Sequence, residues 1–297
     1  MENEIIRIIN DLNNYGFSSS NLKEILDESE IKYFEEISAS YSQALKEVKI
    51  KSRIEEINKN NTNKVSKYKI YEITHDEFLN EPLTLDNLPL LKLYLSKNIL
   101  KIAKSYLGND IRIRNPLAWI HPATSLTREI RSQKWHRDQE DSKMLKVFIL
   151  FSNVNENNGP TQYVKSTNSS GTFKNIAPNM TWLDSHWSNR NKFIRRAYNF
   201  FREKFPYNYS IPKKNIVKAT GDIGSVFFID TNGLHKGGFV KEGLRLMTHC
   251  NFLNAKAPML QKGMPLEKFN HDEKLFSIDY KSQTFMSLED ETKAVLK

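Results

Sequence analysis

Apolar residues recur along the first 57 positions at mixed three- and four-residue steps, with a stripe at Ile5, Ile6, Ile9 and Leu12, the spacing that one face of a helix requires. Residues 21–57 continue in helix-forming composition. The Asn- and Lys-rich run NKNNTNKVSK at 58–67 reads as a loop. LPLLKLYLSKNILKIAKSYLG then reads as one helix ending at Gly108, where a left-handed C-cap is easily made. Past Gly108 the period changes. IRIRNPLAWI, LKVFILF, TQYV, GSVFFI and LRLMTHCNFL are short, β-rich and separated by Gly, Pro and Asn. The pattern predicts a mainly β protein with a helical N-terminal extension. It has a helical region over 1–110 packing on a β core over 111–254, and a mixed tail over 255–297 with a last helix opening at Ser287, all in one structural domain.

Composition narrows the classes of function. A chain of 297 residues with 39% hydrophobic content can bury a large core. Its net charge of +9 comes from 44 basic and 35 acidic residues that are interspersed, without a basic block beside stacking aromatics, so a solvated surface is expected rather than a nucleic-acid interface. Weak attraction to an anionic substrate is compatible with it. The single cysteine, Cys250, excludes an internal disulfide and a Cys-rich zinc site. The opening MENEIIRIINDLNNYGF is acidic and amphipathic, without a basic n-region or a continuous apolar h-region, and no run of about 18 apolar residues follows. A cytoplasmic location, away from the membrane, is the expectation.

Candidate chemistry begins at QKWHRDQED, where His136 and Asp138 stand two apart. The pair alone is a weak signal. On extended backbone, however, residues i and i+2 point to one side, so both could reach one ion while Arg137 points away. A third ligand is offered by GDIGSVFFIDTNGLHKGGFVKEGLRL, in which a strand runs into His235 and turns through Gly237 and Gly238. A returning hairpin strand carries Arg245, ten residues on. Two imidazoles and one carboxylate on one face of Fe(II) leave three adjacent positions open for a chelating 2-oxo acid and dioxygen. The far carboxylate of that acid calls for a bidentate, permanently charged partner, which Arg245 supplies. Gln133 reads as a co-substrate contact or as a plain strand-edge residue. The bland alternatives are a surface pair for His136 and Asp138, a hairpin histidine for His235 and a salt-bridged strand residue for Arg245. His121, His186 and His249 read mostly as structural, with His249 packed in the core.

WHRD, then NNGPTQYV, then GDIGSVFFIDTNGLHKGG with its trailing arginine resemble the phytanoyl-CoA dioxygenase family of Fe(II)/2-oxoglutarate-dependent oxygenases, over about residues 111–254. The resemblance implies a double-stranded β-helix (jelly-roll, cupin-like) core with iron at its mouth. It matches His136, Asp138 and His235 to the iron ligands and Arg245 to the 2-oxoglutarate anchor, with Fe(II), 2-oxoglutarate and O2 as cofactors. The implied reaction is hydroxylation, or another oxidation, of an unactivated C–H bond of a small molecule, releasing succinate and CO2. Family halogenases lack the carboxylate that Asp138 supplies. Two departures stand out: Lys165 to Asn168 (KSTN) replaces the usual Pro-Gly-Ser-His, and Gly237 stands where many members place a small hydroxyl residue. The insertion 166–191, with Trp182, His186 and Trp187, reads as a lid or as a loop packed on the barrel. A protein or RNA hydroxylase and a non-catalytic jelly-roll binding module are the alternative readings, and no element specific for CoA is legible.

Overall fold

The computed structural model of the chain describes residues 1–59, 71–79, 83–84, 89–125, 129, 131–138, 140–176, 211–257 and 276–277. Helix α1 (Glu2–Tyr15) buries Ile5, Ile8 and Leu12 and leaves Ile6 exposed. At about 100° per residue, Ile5, Ile8, Ile9 and Leu12 share a face from which Ile6 is turned away, so the stripe read from the sequence is corrected at one position. Gly16 ends the helix at φ 69°, and a strand follows at once: β1 (Phe17–Asn21). Helices α2 (Leu22–Ile25), α3 (Glu28–Ala44) and α4 (Val48–Lys59) come next, then β2 (Ile73–Thr74), α5 (His75–Leu79), β3 (Leu83–Thr84), α6 (Pro89–Tyr94) and α7 (Lys97–Leu107). The single helix expected over 88–108 is therefore two. Ser96 takes extended backbone, and Glu30 of α3 accepts a hydrogen bond from the Lys97 amide at 2.9 Å. A tertiary partner thus satisfies a first-turn amide that would otherwise have none, and a second helix can start there.

The β-rich part comprises β4 (Ile111–Pro122), β5 (Met144–Leu150), β6 (Gln162–Val164), β7 (Ile216–Lys218), β8 (Ser225–Ile229), β9 (His235–Lys236), β10 (Leu244–Asn254) and β11 (Phe276–Ser277). A six-stranded antiparallel sheet has the order β1-β8-β5-β10-β4-β2, a three-stranded antiparallel one the order β7-β6-β9, and β11 pairs parallel with β3. The stretch read as wholly helical thus contributes both edge strands of the larger sheet. FSSSN carries no apolar alternation; its extended state comes from pairing, with Phe17 opposite Ile229. Between β10 and β4 the register slips at His249/Asn251, beside Pro116, which has no N–H to give to the ladder.

Alternation along these strands separates two cores. Leu246, Cys250 and Phe252 join Leu145, Val147 and Ile149 in a cluster with the helices, where Tyr94 Oη and Thr248 Oγ1 share a 2.7 Å hydrogen bond. On the opposite face Met247, Phe148, Leu150, Phe227 and Ile229 meet Tyr163 of the smaller sheet. The two sheets therefore pack through that second face, and side chains on it point between them. β9 pairs with β6 and β10 with β4 and β5. The chain from His235 to Arg245 accordingly crosses from one sheet to the other and is not the hairpin expected.

Among the described residues no helix is long and apolar enough to cross a membrane. Most of the loop read at 58–67, the insertion from residue 177 with Trp182, His186 and Trp187, and the tail helix at Ser287 lie outside the described residues.

Candidate metal centre

Trp135 is buried against Val164 and Leu234. Just after it, His136 and His235 exchange both backbone hydrogen bonds at 2.9 Å, and the Asp138 amide donates to the Thr231 carbonyl at 2.8 Å. Among the described residues this pairing is an isolated antiparallel bridge, yet it keeps the backbone extended enough to set His136 and Asp138 on one side. One donor atom each from His136, Asp138 and His235 lie within 4.8 Å of one another. His136 Nε2 is 3.7 Å from Asp138 Oδ1, and His235 Nε2 is 3.7 Å from Asp138 Oδ2.

The ring states are set by the backbone. His136 Nδ1 is 2.8 Å from the Lys134 carbonyl and His235 Nδ1 is 3.0 Å from the Gly233 carbonyl. A carbonyl only accepts, so each Nδ1 bears the hydrogen and each Nε2 presents a lone pair, the state a metal ligand needs. Burial holds His235 below its ordinary pKa against the opposing pull of Asp138. Burial alone would push the Asp138 carboxyl up, but the Lys146 ammonium, 2.7 Å away, pulls it well below the usual carboxylate range. Two neutral nitrogens and one ionised carboxylate are a donor set suited to a divalent transition metal.

Arg137 does point away, into a structural clamp. Its guanidinium donates to the carbonyls of Thr167 at 2.6 Å, Asn232 at 2.7 Å and Lys174 at 2.9 Å. Within the departing KSTN segment, the Thr167 hydroxyl donates to the Val164 carbonyl at 2.6 Å and accepts from the Leu234 amide at 2.8 Å. Asp230, fully buried, accepts from the Tyr106 hydroxyl at 2.7 Å and the Asn232 amide at 3.1 Å. Burial raises its pKa to about 6, with the Tyr106 hydrogen bond opposing. Gly233 makes this packing possible: a Cβ there would lie 2.1 Å from Tyr163 Oη. Gly238 meets a similar demand, since its Cβ would be 2.3 Å from Pro160 O, so the GG and NGP segments touch backbone to backbone. Gly237 has room, with its amide donating to Ser132 O at 2.7 Å.

Arg245 lies on β10 two residues from Met247, on the face turned between the sheets. It is buried, and its Nε and Nη1 have no hydrogen-bond partner among the described residues. Burial lowers its pKa to about 10, with Glu72 and Tyr71 opposing. His121 stands opposite it in register, and the Tyr71 ring stacks on His121 at 6.3 Å. Burial, reinforced by the Arg245 charge, holds His121 well below its ordinary pKa, so its 3.7 Å approach to Glu72 is not an ion pair. His249 is packed between Trp119 and Phe148. Gln133 is buried at the end of the 3₁₀ turn Arg131–Gln133 and not on a strand edge.

Sequence reasoning missed Lys146, whose ammonium is 2.7 Å from Asp138 Oδ2. The signal was available: LKVFILF has one charge in an apolar strand, eight residues after Asp138. Glu72 and the Asp230–Tyr106 pair were also missed, because they depend on contacts between distant segments.

No family model matches the sequence, and neither does any curated protein. Among solved structures, the chain is similar to the non-heme α-ketoglutarate-dependent epimerase SnoN from nogalamycin biosynthesis, with 14% identity over 86% of this chain and 85% of that one and a TM-score of 0.50. The non-heme α-ketoglutarate-dependent carbocyclase SnoK from nogalamycin biosynthesis matches at 14% identity over 86% of this chain and 88% of its own, also with a TM-score of 0.50. At such identities the likeness is one of fold: this chain shares the fold of these two enzymes.

Proposed function

We propose that the protein is an Fe(II)- and 2-oxoglutarate-dependent oxygenase of the phytanoyl-CoA dioxygenase-like kind. In this reading it oxidises an unactivated C–H bond of a small molecule and releases succinate and CO2. Residues 111–254 form the double-stranded β-helix core in this reading, with 1–110 packed on it and the larger sheet extended by β1 and β2. The carrying observation is the convergence of His136, Asp138 and His235 within 4.8 Å, with both imidazole Nδ1 atoms committed to carbonyls. The shared fold of two α-ketoglutarate-dependent enzymes supports it.

His136, Asp138 and His235 would hold the iron. Iron(II) with 2-oxoglutarate supplies dioxygen activation coupled to decarboxylation of the 2-oxo acid. The rest of the chemistry asked of this chain is placement. His136 and His235 offer fixed Nε2 lone pairs, and Asp138 stays ionised beside Lys146. Arg245, whose Nε and Nη1 have no partner among the described residues, would offer N–H donors on the face between the sheets to the far carboxylate of the 2-oxo acid. SnoN is an epimerase and SnoK a carbocyclase, so the substrate and the outcome at its C–H bond are set by what else lines the interior.

The test is anaerobic binding of Fe(II) and 2-oxoglutarate, followed by a metabolite-library screen for succinate release. Stoichiometric iron is expected in the wild type and none in His136→Ala, Asp138→Ala or His235→Ala. Full iron occupancy in one of these variants would remove that residue from the ligand set, and a wild type that binds neither iron nor 2-oxoglutarate would leave a binding module.

A further inference from the structure

Lys146 is out of place by composition. Its neighbours Leu145 and Val147 face the helices, so Lys146 shares the inner face with Phe148 and Leu150. A lysine in apolar surroundings is costly unless its charge is paired. Its partner is Asp138, at 2.7 Å, and the two side chains are only 14% and 16% exposed.

The contact is to one oxygen only. Oδ1 of Asp138 is 3.7 Å from His136 Nε2, and Oδ2 is 3.7 Å from His235 Nε2. By distance the imidazoles do not choose between the two oxygens. Lys146 chooses, since it engages Oδ2. A carboxylate that binds through both oxygens takes two coordination positions, and one that binds through a single oxygen takes one. With two imidazoles, only single-oxygen binding leaves three positions free, the number that a chelating 2-oxo acid and dioxygen need together. The ammonium also offsets the charge of Asp138, so a divalent ion held here keeps a net charge of about +2 to attract a dianionic co-substrate.

Resting on the metal-centre reading above, we propose that Lys146 is a positioning residue: it occupies Asp138 Oδ2, holds the carboxylate to single-oxygen ligation and so keeps a place open for the 2-oxo acid. Without it, Asp138 turns both oxygens to the metal and competes with the incoming chelate.

Cobalt(II), which does not turn over, is the probe. The wild type, Lys146→Met and Lys146→Arg are compared by Co(II) titration, by the visible ligand-field spectrum of the Co(II) protein, and by 2-oxoglutarate titration of that protein. All three are expected to bind stoichiometric Co(II). Lys146→Met should show a changed spectrum before 2-oxoglutarate is added and bind 2-oxoglutarate about tenfold or more weakly, and Lys146→Arg should restore both. If Lys146→Met fails to fold, Lys146→Gln takes its place: its amide still donates to Oδ2 without charge, so a near-normal spectrum with weakened 2-oxoglutarate binding is expected. An unchanged spectrum with 2-oxoglutarate affinity within about twofold in Lys146→Met overturns the proposal. So does a folded Lys146→Met that binds no Co(II), because the lysine would then be needed to assemble the site and not to set how Asp138 binds. A wild type that takes up no Co(II) defeats the metal centre itself, which is a different failure.

Discussion

Arg137 and Arg245 are buried to nearly the same degree, 7% and 4% exposed, in regions of opposite character. Around Arg137 three carbonyls from two segments, Thr167 and Lys174 in one loop and Asn232 in another, accept from its Nη1 and Nη2. Around Arg245, among the described residues, neither Nε nor Nη1 has an acceptor. Burying a cation is unfavourable unless its donors are satisfied. Both terminal nitrogens of Arg137 are thus satisfied by the protein, whereas Arg245 keeps donors on offer to an anion.

The largest expected effect tests the satisfied side of this contrast. Arg137→Met leaves three carbonyls without their donor next to the triad and should lower stability by about 3–5 kcal/mol, since each buried acceptor left unpaired costs about 1–3 kcal/mol. Chemical denaturation measures it, and a loss near zero would make Arg137 a spectator. Arg245→Leu should behave in the opposite way. Stability stays level or rises, while 2-oxoglutarate binds at least about 30-fold more weakly, a loss of ~2 kcal/mol or more for truncating one partner of a buried charge pair. Unchanged co-substrate affinity, or destabilisation equal to that of Arg137→Met, would erase the distinction.

A pH dependence sharpens it further. Asp230 shapes the turn whose Asn232 carbonyl Arg137 holds, and its folded pKa is raised to about 6, against about 3.9 for a free aspartate. Between those values the folded protein holds a proton that the unfolded chain has released. The contribution is therefore fully present below pH ~3.9 and is lost as pH rises through about 6, by up to ~3 kcal/mol. Asp230→Asn keeps an acceptor for the Asn232 amide and cannot titrate. Its stability relative to the wild type should rise across that window, while Arg245→Leu keeps the wild-type slope. Parallel profiles of wild type and Asp230→Asn would show that Asp230 ionises freely. The smallest effect is expected of Thr167→Val, which removes the acceptor of the Leu234 amide and should destabilise by about 1–3 kcal/mol. Iron affinity falling together with stability would show that this clamp also sets the position of His235.

How far the site could be read in advance follows from the range of the forces involved. His136 and Asp138 share a side because extended backbone alternates every two residues, a local rule that needs no knowledge of partners. Arg245 falls on the inner face by the same parity along β10. Lys146 obeys the rule too, but lysine in a strand is normally solvent-facing, and only the packing of the second sheet makes its face an interior one. FSSSN has no strand pattern of its own and becomes β1 by pairing with β8. Ser96 breaks a helix that local propensity would continue, where Glu30, sixty-six residues earlier, accepts the next amide.

By itself, then, the sequence determined what short-range periodicity controls: a helix-rich first part ahead of a strand-rich one, which of the strands it predicted have a buried face, the pairing of His136 with Asp138, and the order in which His235 and Arg245 follow. The tertiary structure alone decided what depends on segments far apart in the chain. It brought His235 against His136, sent the chain from one sheet to the other before Arg245, closed three carbonyls on Arg137, buried Arg245 opposite His121, and set Lys146 on the second oxygen of Asp138. The reason is physical. Side-chain alternation is written every two or four residues, but the partner of a buried charge is chosen by which surfaces meet when the two sheets pack, and that meeting involves the whole chain at once.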